Sequence, residues 1–320
     1  MYKLSIGISL LYYGLKVYAG GIDVYGLNQT AAAQLLEKWG KPIYETEKSY
    51  WALRLEKKLT PEKEQEWQKK QQDYIERIKH TFSYQTVLIE SVYYPGTKDL
   101  FTTIGLDKAP SYQQKIAAYQ AKNPPDVIDK LWLFIPKATQ FIIEHPEYAN
   151  ALNCLDYHCI TPEHAYFKAD LSYFRHEVPL KKNIILQELS HSTNLQRRRA
   201  AVFALGYLKH AQEIADILEE YLSDPSTLIR HDCLRVYGEL LQKAPEVNVH
   251  IEKILPSLFS VYEAERNKTL VILTSLVKNN RYKDMIASKA KQQLLLLKAL
   301  KQPNNHDVAC QILEELDRHQ

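Results

Sequence analysis

Two stretches of the sequence, 32 residues apart, are versions of the same helix. Residues 192–206 read STNLQRRRAAVFALG, and residues 224–238 read DPSTLIRHDCLRVYG. In this alignment Arg198 falls on Arg230. A period of about 20–50 residues is typical of stacked repeats, in which each unit buries its apolar face against its neighbours. The second half of the chain is therefore predicted to be a stack of helical pairs.

Every segment from residue 126 onward has the apolar spacing of a helix, with breaks of a few residues. Residues 126–179 are predicted to be a helical region, and residues 180–320 are predicted to form four two-helix units. The apolar run Leu294–Leu297, with Leu300, is expected to pack against the last helix as an end cap. The alternative is an exposed docking site, because an end unit has no neighbour to cover it.

The two aligned stretches resemble the short HEAT repeats of bacterial proteins. In that family, an Asp of the turn and an Arg of the second helix commonly bridge adjacent repeats. The resemblance therefore implies structural, inter-repeat roles for Arg198, Asp224 and Arg230. It also implies that Gly206 and Gly238 let the helices of a pair pack closely. An α-solenoid of this kind presents a concave face to a partner and carries no reaction.

The first residues have the order of a secretory signal peptide. A basic start at Lys3 precedes an apolar stretch, and Val17 and Ala19 supply small residues at its exit. Residues 1–19 are therefore predicted to be a signal peptide; the alternative is a buried first element of the folded domain. No other stretch is long and apolar enough to cross a bilayer, so no stable membrane span is expected.

Residues 20–108 are predicted to form a small α+β domain with the order β-α-α-β-β. Residues 21–26 alternate, so Ile22 and Val24 are expected to point inward, and Asp23 and Tyr25 outward. A helix capped near Asn28 is expected to stop at Gly40. A long helical stretch is expected to follow, broken near Thr60-Pro61, and its part after the break carries Trp67, Tyr74, Ile75 and Ile78 inward. Residues 85–94 and 100–106 are predicted strands, with a turn at residues 95–96.

This order, with the phrase Ile-x-Val-x-Gly-Leu at residues 22–27 before a helix, resembles the POTRA module. Such modules occur in outer-membrane assembly proteins and related secretion and division proteins. They lie outside the cytoplasmic membrane and bind partners, partly by adding a strand to an exposed sheet edge. The resemblance implies a binding edge at residues 85–94 or 22–25. Residues 109–125, which contain Pro110, Pro124 and Pro125, are the predicted linker, with one short helix between the prolines.

Cys154 and Cys159 are the only close pair among the four cysteines. A local disulfide is expected if the protein occupies an oxidising compartment. A zinc site with His158 and His164 is the alternative, although the spacing matches none of the paired-ligand patterns.

The histidines are densest between His145 and His176, where Asp156 and Glu163 also lie. We interpret these residues as surface or capping groups, because irregular spacing seldom brings three or four ligands to one point. No catalytic residue, metal site or cofactor is therefore predicted. An enzyme or metal-binding protein that uses residues 154–176 is kept as an alternative.

The charge of the chain argues against nucleic acid as a partner. The net charge is +3, and the one basic cluster is Arg197–Arg199. These three side chains point in different directions around a helix, so Arg198 is expected to bridge repeats while Arg197 and Arg199 are solvated. Acidic residues close by oppose the broad basic stripe that a phosphate backbone requires.

The sequence thus predicts an α+β domain followed by an all-α, HEAT-like solenoid. The predicted function is a non-enzymatic adaptor or scaffold for a protein partner, located in the bacterial cell envelope. An intracellular adaptor of the same architecture is the alternative. The partner itself is not identified by the sequence.

Overall fold

A computed structural model describes residues 21–94, 97–110, 119, 121–148 and 154–318. The chain is mostly helical, with a three-stranded sheet near its amino terminus and a helical region after it. Three predictions lie outside the described residues: the signal peptide at residues 1–19, the turn at 95–96 and most of the short helix at 112–122. No helix in the described ranges combines the length and the apolar character needed to cross a membrane.

The first strand, β1 (Gly21–Tyr25), leads into helix α1 (Gln29–Leu35). Asn28 caps α1, since its Oδ1 accepts the backbone N–H of Ala31 at 2.9 Å. The prediction that Gly40 ends this helix is wrong. Residues Leu36–Gly40 form a π-helical turn, and the chain continues directly into α2 (Lys41–Leu55). Gly40 instead allows close packing, because a Cβ there would lie 3.2 Å from Leu36 Cδ2.

Helix α3 (Pro61–Phe82) begins as predicted, with the Thr60 hydroxyl accepting the backbone N–H of Lys63 and proline in the first turn. Ser83 ends the helix in the left-handed conformation. Two strands follow, β2 (Thr86–Tyr94) and β3 (Asp99–Asp107). The strand order is β1-β3-β2, with β1 parallel and β2 antiparallel to the central β3.

One face of the sheet, here called the helix face, packs against α1, the π-helical turn, α2 and α3. Ile104 of β3 and Ile89 of β2 lie opposite each other on this face. Ile22 and Val24 of β1 also pack here, as the alternation predicts. The buried members of this core are Leu35, Trp39, Ile43, Ile78, Val87, Ile89, Ile104 and Leu106.

The opposite face, here called the carboxy-terminal face, is covered by residues from the end of the chain. Gly105 must be glycine here, because a Cβ would lie 2.7 Å from Val261 Cγ2. The Arg266 guanidinium lies 4.0 Å from the ring centroid of Tyr25. Asp23 is buried. The prediction that Asp23 and Tyr25 face solvent is therefore wrong, since the sheet is covered on both faces.

The chain divides into two compact units. In the described ranges, one unit consists of residues 21–94 and 97–110, which contain the sheet, together with residues 258–270 and 283–318. Residues 121–148, 154–257 and 271–282 belong to the other unit. This division differs from the predicted one, which placed residues 180–320 in a single solenoid separate from the sheet.

Helices follow one another through the rest of the chain. Helix α4 starts with a capping box between Asp126 and Asp129. Pro179 lies in the last turn of α5. The helix bounds are α4 Val127–Glu144, α5 Lys168–Leu180, α6 Lys182–His191, α7 Leu195–Ala204, α8 Ala211–Glu220, α9 Thr227–Lys243, α10 Ile251–Ile254, α11 Glu263–Leu276, α12 Asn280–Lys298 and α13 Pro303–Asp317. Short 3-10 turns extend α7 at Leu205–Tyr207 and α10 at Leu255–Phe259.

Candidate functional site

Arg198 and Asp224, two of the residues for which an inter-repeat role was predicted, form an ion pair. Arg198 lies on α7, and Asp224 lies in the turn between α8 and α9. The Arg198 Nε also donates to the carbonyl oxygen of Leu189 on α6 at 2.8 Å. Asp224 Oδ1 accepts the backbone N–H of Ser226 at 2.8 Å. The Arg198 side chain therefore joins the helix before its own to the turn after α8.

Arg230, the aligned counterpart of Arg198, makes contacts of a different kind. Its Nη1 donates to the carbonyl oxygens of Asp224 at 2.7 Å and Pro225 at 3.1 Å. Both acceptors lie in the turn directly before α9, the helix that carries Arg230. These two bonds join Arg230 to the turn before its own helix; the bridge between repeats that the family resemblance implies for Arg230 stays a prediction.

The prediction that Arg197 and Arg199 are solvated is wrong. Arg197 is 5% exposed and pairs with three carboxylates. One lies at the N-cap of α4, one in the first turn of α4 and one on α6. Those partners are Asp126, Asp129 and Glu188. Arg199 pairs with Asp232 of α9, Nε to Oδ2, at 2.6 Å. Helix α7 contacts α4, α6 and α9, so each guanidinium is buried to some degree and is paired with a carboxylate.

The two repeat glycines have unequal surroundings. A Cβ on Gly206 would lie 2.4 Å from His158 Cβ and 2.9 Å from the His158 backbone nitrogen. A Cβ on Gly238 would meet nothing closer than 3.6 Å, at Ile272 Cγ1. The close approach at Gly206 is thus to the loop that carries His158, and not to the other helix of its pair.

That loop contains the disulfide between Cys154 and Cys159. The backbone N–H of Tyr157 donates to the carbonyl oxygen of Gly206 at 3.0 Å. The backbone N–H of Cys159 donates to Glu239 Oε2 at 2.8 Å. Lys243, at the end of α9, donates to the carbonyl oxygen of Cys154 at 3.0 Å. The disulfide loop therefore lies against the ends of α7 and α9.

His158, a residue of this loop, is buried. Its Nδ1 lies 2.9 Å from Glu239 Oε2, and its ring stacks on Phe203 with centroids 5.0 Å apart. Burial raises the pKa of Glu239, but His158, Arg235 and the Cys159 N–H outweigh it and bring the pKa to about 2. Glu239 is thus an ionised anchor for the loop.

The remaining histidines of this region lie in other surroundings. His145 and His164 pack against the ring of Phe141, at centroid distances of 4.6 and 5.0 Å. His176 is exposed and contacts Glu177. Across the described ranges, no three side chains of His, Cys, Asp or Glu gather where they could hold a metal ion. The predicted alternatives that use residues 154–176 therefore gain no cluster of ligands from this geometry.

Both predicted binding edges of the sheet, β1 and β2, are edge strands. On the carboxy-terminal face at β1, the Lys301 side chain comes within 3.1 Å of the position that a Cβ on Gly21 would take. Asp23 of β1 accepts the backbone N–H groups of Lys301 and Gln302 at 2.7 and 2.9 Å. β2 is the other edge strand, and in the described part of the chain its ladder bonds are made with β3 alone. An edge strand directs every second pair of N–H and C=O groups away from its sheet.

Four half-buried aromatic rings, here called the aromatic cluster, lie beside β2 on the helix face: Tyr50, Trp51, Trp67 and Tyr93. Trp51 of α2 stacks on Tyr93 of β2 with centroids 5.8 Å apart and an interplanar angle of 23°. Tyr50 stacks on Trp67 of α3 at 4.0 Å. The Arg54 guanidinium lies 5.0 Å from the centroid of Trp51. These residue types are the ones enriched at the centres of protein interfaces.

Glu47 lies buried under the aromatic cluster. Its Oε1 accepts from Trp67 Nε1 at 2.9 Å and Gln71 Nε2 at 3.1 Å, and its Oε2 accepts from Ser91 Oγ at 2.9 Å. Burial raises the pKa of Glu47, and these neutral donors offset the effect only in part. The carboxyl group ties α2, α3 and β2 together and fixes Trp67 within the cluster.

The apolar run Leu294–Leu297 is divided between interior and surface. Leu294 and Leu297 are fully buried, whereas Leu295 and Leu296 are 49% and 62% exposed. This division follows from helical geometry, since residues three apart share a face of α12. The run therefore has a buried side and an exposed side, and the end cap and the docking site both stay predictions.

Sequence reasoning missed the aromatic cluster and Glu47. The sequence does show Tyr50-Trp51 on a helix and Tyr93-Tyr94 on a strand, which is a usable signal. Nothing in the local pattern distinguishes Glu47 from the exposed acidic residues around it, because its burial depends on three partners from α3 and β2. Comparisons with models of protein families, with curated proteins and with solved structures found no match.

Proposed function

We propose that this protein is a non-enzymatic adaptor that binds an extended segment of a protein partner along β2. The observation that carries the proposal is that β2 is an edge strand, paired in the described ranges with β3 alone, and lies beside the aromatic cluster. One of its carbonyl oxygens, that of Ile89, accepts from Gln71 of α3 at 3.3 Å. The segment would add a fourth strand to the sheet, with main-chain hydrogen bonds supplying affinity.

The aromatic cluster would supply specificity. Side chains of an added strand alternate between the two faces, so every second one would meet the helix face near Tyr93 and Trp51. Rings of this kind offer large apolar area and polar edges to a partner. We expect an apolar or aromatic partner residue at this position.

The helical unit would serve as the scaffold, arranged as a HEAT-like solenoid. The bridge from Arg198 to Asp224 and the packing of α7 between α4 and α9 support this arrangement. In such a stack each helix pair is stabilised by its neighbours, and the outer surface is left for partners. The helices would therefore add a second binding surface to the β2 edge.

We place the adaptor outside the cytoplasm, in the cell envelope. The Cys154–Cys159 disulfide supports this location, because disulfides persist in oxidising compartments and are rare in the cytosol. The signal-like order of residues 1–19 points the same way.

Site-specific photocrosslinking tests the β2 proposal in the native host. A photoreactive phenylalanine analogue replaces Tyr93, and a matched variant carries it at Lys69, an exposed position on α3 of the same unit. We expect one dominant adduct at position 93 that maps to a single extended stretch of one protein, and none at position 69. Equal adducts at both positions, or none at position 93, would contradict the proposal.

A further inference from the structure

The ammonium group of Lys243 lies against both sulfur atoms of the disulfide. Its Nζ is 3.0 Å from Cys154 Sγ and 3.1 Å from Cys159 Sγ. A disulfide sulfur is uncharged and only a weak acceptor, so the ammonium gains little from these contacts while the bond is intact. The same contacts become strong when a sulfur carries the negative charge of a thiolate.

The acidic side chains around the disulfide have other partners. Asp156 and Glu163 both accept from the guanidinium of Arg175 on α5. Glu239 pairs with His158. Arg175 and His158 thus contact these carboxylates, and the Lys243 ammonium contacts both sulfurs.

The two cysteine residues differ in exposure. Cys154 is half-buried, and the next residue, Leu155, is 81% exposed at the tip of the loop. Cys159 is buried, with 5% of its surface exposed. We therefore expect an incoming thiolate to attack Cys154, the more exposed cysteine, with Cys159 as the leaving sulfur.

We propose that Cys154–Cys159 is a thiol-exchange site, at which a dithiol reductant attacks Cys154 and Lys243 stabilises the departing Cys159 thiolate. In the first step the reductant thiolate forms a bond to Cys154 Sγ, and the electron pair of the disulfide leaves with Cys159 Sγ. In the second step the other thiol of the reductant loses its proton and attacks the mixed disulfide. This releases Cys154 as the thiol and leaves the reductant as its own disulfide.

The loop remains held after reduction. Tyr157 stays bonded to the carbonyl oxygen of Gly206, and Asp156 stays paired with Arg175, because neither contact involves a sulfur. Both cysteines thus keep their places, which favours re-formation of the bond when an oxidant returns. Reduction of the disulfide is therefore reversible, and the two-electron change is confined to one loop.

The test compares Lys243→Gln, which keeps a hydrogen-bond donor and removes the charge, with Lys243→Arg, which keeps a charge. Full-length proteins are equilibrated in dithiothreitol buffers of graded potential, quenched with acid and alkylated. The state of the 154–159 peptide is read by mass spectrometry, which separates it from Cys233 and Cys310. Lys209→Gln, an exposed lysine of the same unit, is the control for a general loss of charge.

We expect Lys243→Gln to be reduced at least tenfold more slowly and to have a midpoint about 30 mV or more lower, which is a tenfold change in the equilibrium constant. Lys243→Arg should lie close to the wild type. Equal rates and midpoints for Lys243→Gln and wild type would overturn the role of Lys243.

A second measurement uses the wild type alone, so it stands even if a variant fails to fold. Brief exposure to glutathione followed by acid quench traps the first mixed disulfide. The glutathione adduct is expected on Cys154. An adduct on Cys159, or no exchange over hours at millimolar thiol, would overturn the proposal.

Discussion

The carboxylate of Asp23, at the start of the described chain, accepts a hydrogen bond from the backbone N–H of Gln302 at 2.9 Å. The two residues are 279 positions apart in sequence. Gln302 itself is fully buried, and its amide donates to Tyr94 of β2 and to Glu263. One polar connection therefore runs from both edge strands to the segment between α12 and α13.

Removal of the Asp23 acceptor should destabilise the protein. Asp23→Ala leaves the backbone N–H groups of Lys301 and Gln302 without this acceptor, and we expect a loss of about 1–3 kcal/mol in the free energy of unfolding. Asp23→Asn keeps an acceptor oxygen and should lose clearly less. Urea unfolding of the three proteins measures both values. Equal losses for the two variants would show that the hydrogen bonds are not what this carboxylate contributes.

Arg197 of α7 should contribute more to the free energy of unfolding than Arg230 of α9. Arg197→Met removes the cation from Asp126, Asp129 and Glu188, and a broken buried pair typically costs about 3–5 kcal/mol. Arg230→Met removes the hydrogen bonds to the carbonyl oxygens of Asp224 and Pro225 and should cost less, about 1.5–3 kcal/mol. Chemical unfolding ranks the two, and a reversed order would contradict the assignment.

The two repeat glycines should respond in opposite ways to alanine. Gly206→Ala places a Cβ against the backbone of His158, and such overpacking typically costs about 1–3 kcal/mol. Gly238→Ala has ordinary van der Waals room inside α9, so the higher helix propensity of alanine should raise stability by up to about 1 kcal/mol. Thermal unfolding of both variants checks the difference. A tolerated Gly206→Ala would mean that the disulfide loop does not lie on this turn.

Glu47 should make the free energy of unfolding depend on pH, and its raised pKa sets the direction of that dependence. Burial raises its pKa above the ordinary 4.5, so the folded state keeps the proton to higher pH than the unfolded chain does. Its contribution is fully present below about pH 4.5 and is lost as the pH rises through the raised pKa. Relative to the wild type, Glu47→Gln should therefore gain stability as the pH rises above about 4.5 and through the raised pKa. A constant difference over this range, or one that favours the wild type at high pH, would contradict the assignment.

The helix face of the sheet could be predicted from the sequence, and the carboxy-terminal face could not. The period-two pattern of residues 21–26 places Ile22 and Val24 correctly, because burial on one face leaves a local signature. Asp23 and Tyr25 look like solvent-facing residues in the same pattern. Their partners, Gln302 and Arg266, lie more than 200 residues away, so no local window contains the reason for their burial.

The two aligned stretches predicted helices correctly, but they predicted few of the side-chain contacts. The Arg198–Asp224 pair is a contact that the family resemblance implies. The alignment could not predict the contacts of Arg197, because its three carboxylates come from segments outside the aligned stretches. Gly206 aligns with Gly238, yet its close neighbour is a loop residue, His158, that has no counterpart in the repeat. Alignment therefore predicts a backbone conformation and leaves the neighbour of each side chain open.

Hydrogen–deuterium exchange on the full-length chain, with and without the partner captured by crosslinking at position 93, tests the β2 proposal most directly. Strand addition predicts that amides within residues 86–94 exchange at least tenfold more slowly when the partner is bound, and that Trp51→Ala weakens this protection. Protection confined to the helices between residues 195 and 243, with β2 unchanged, would contradict the account.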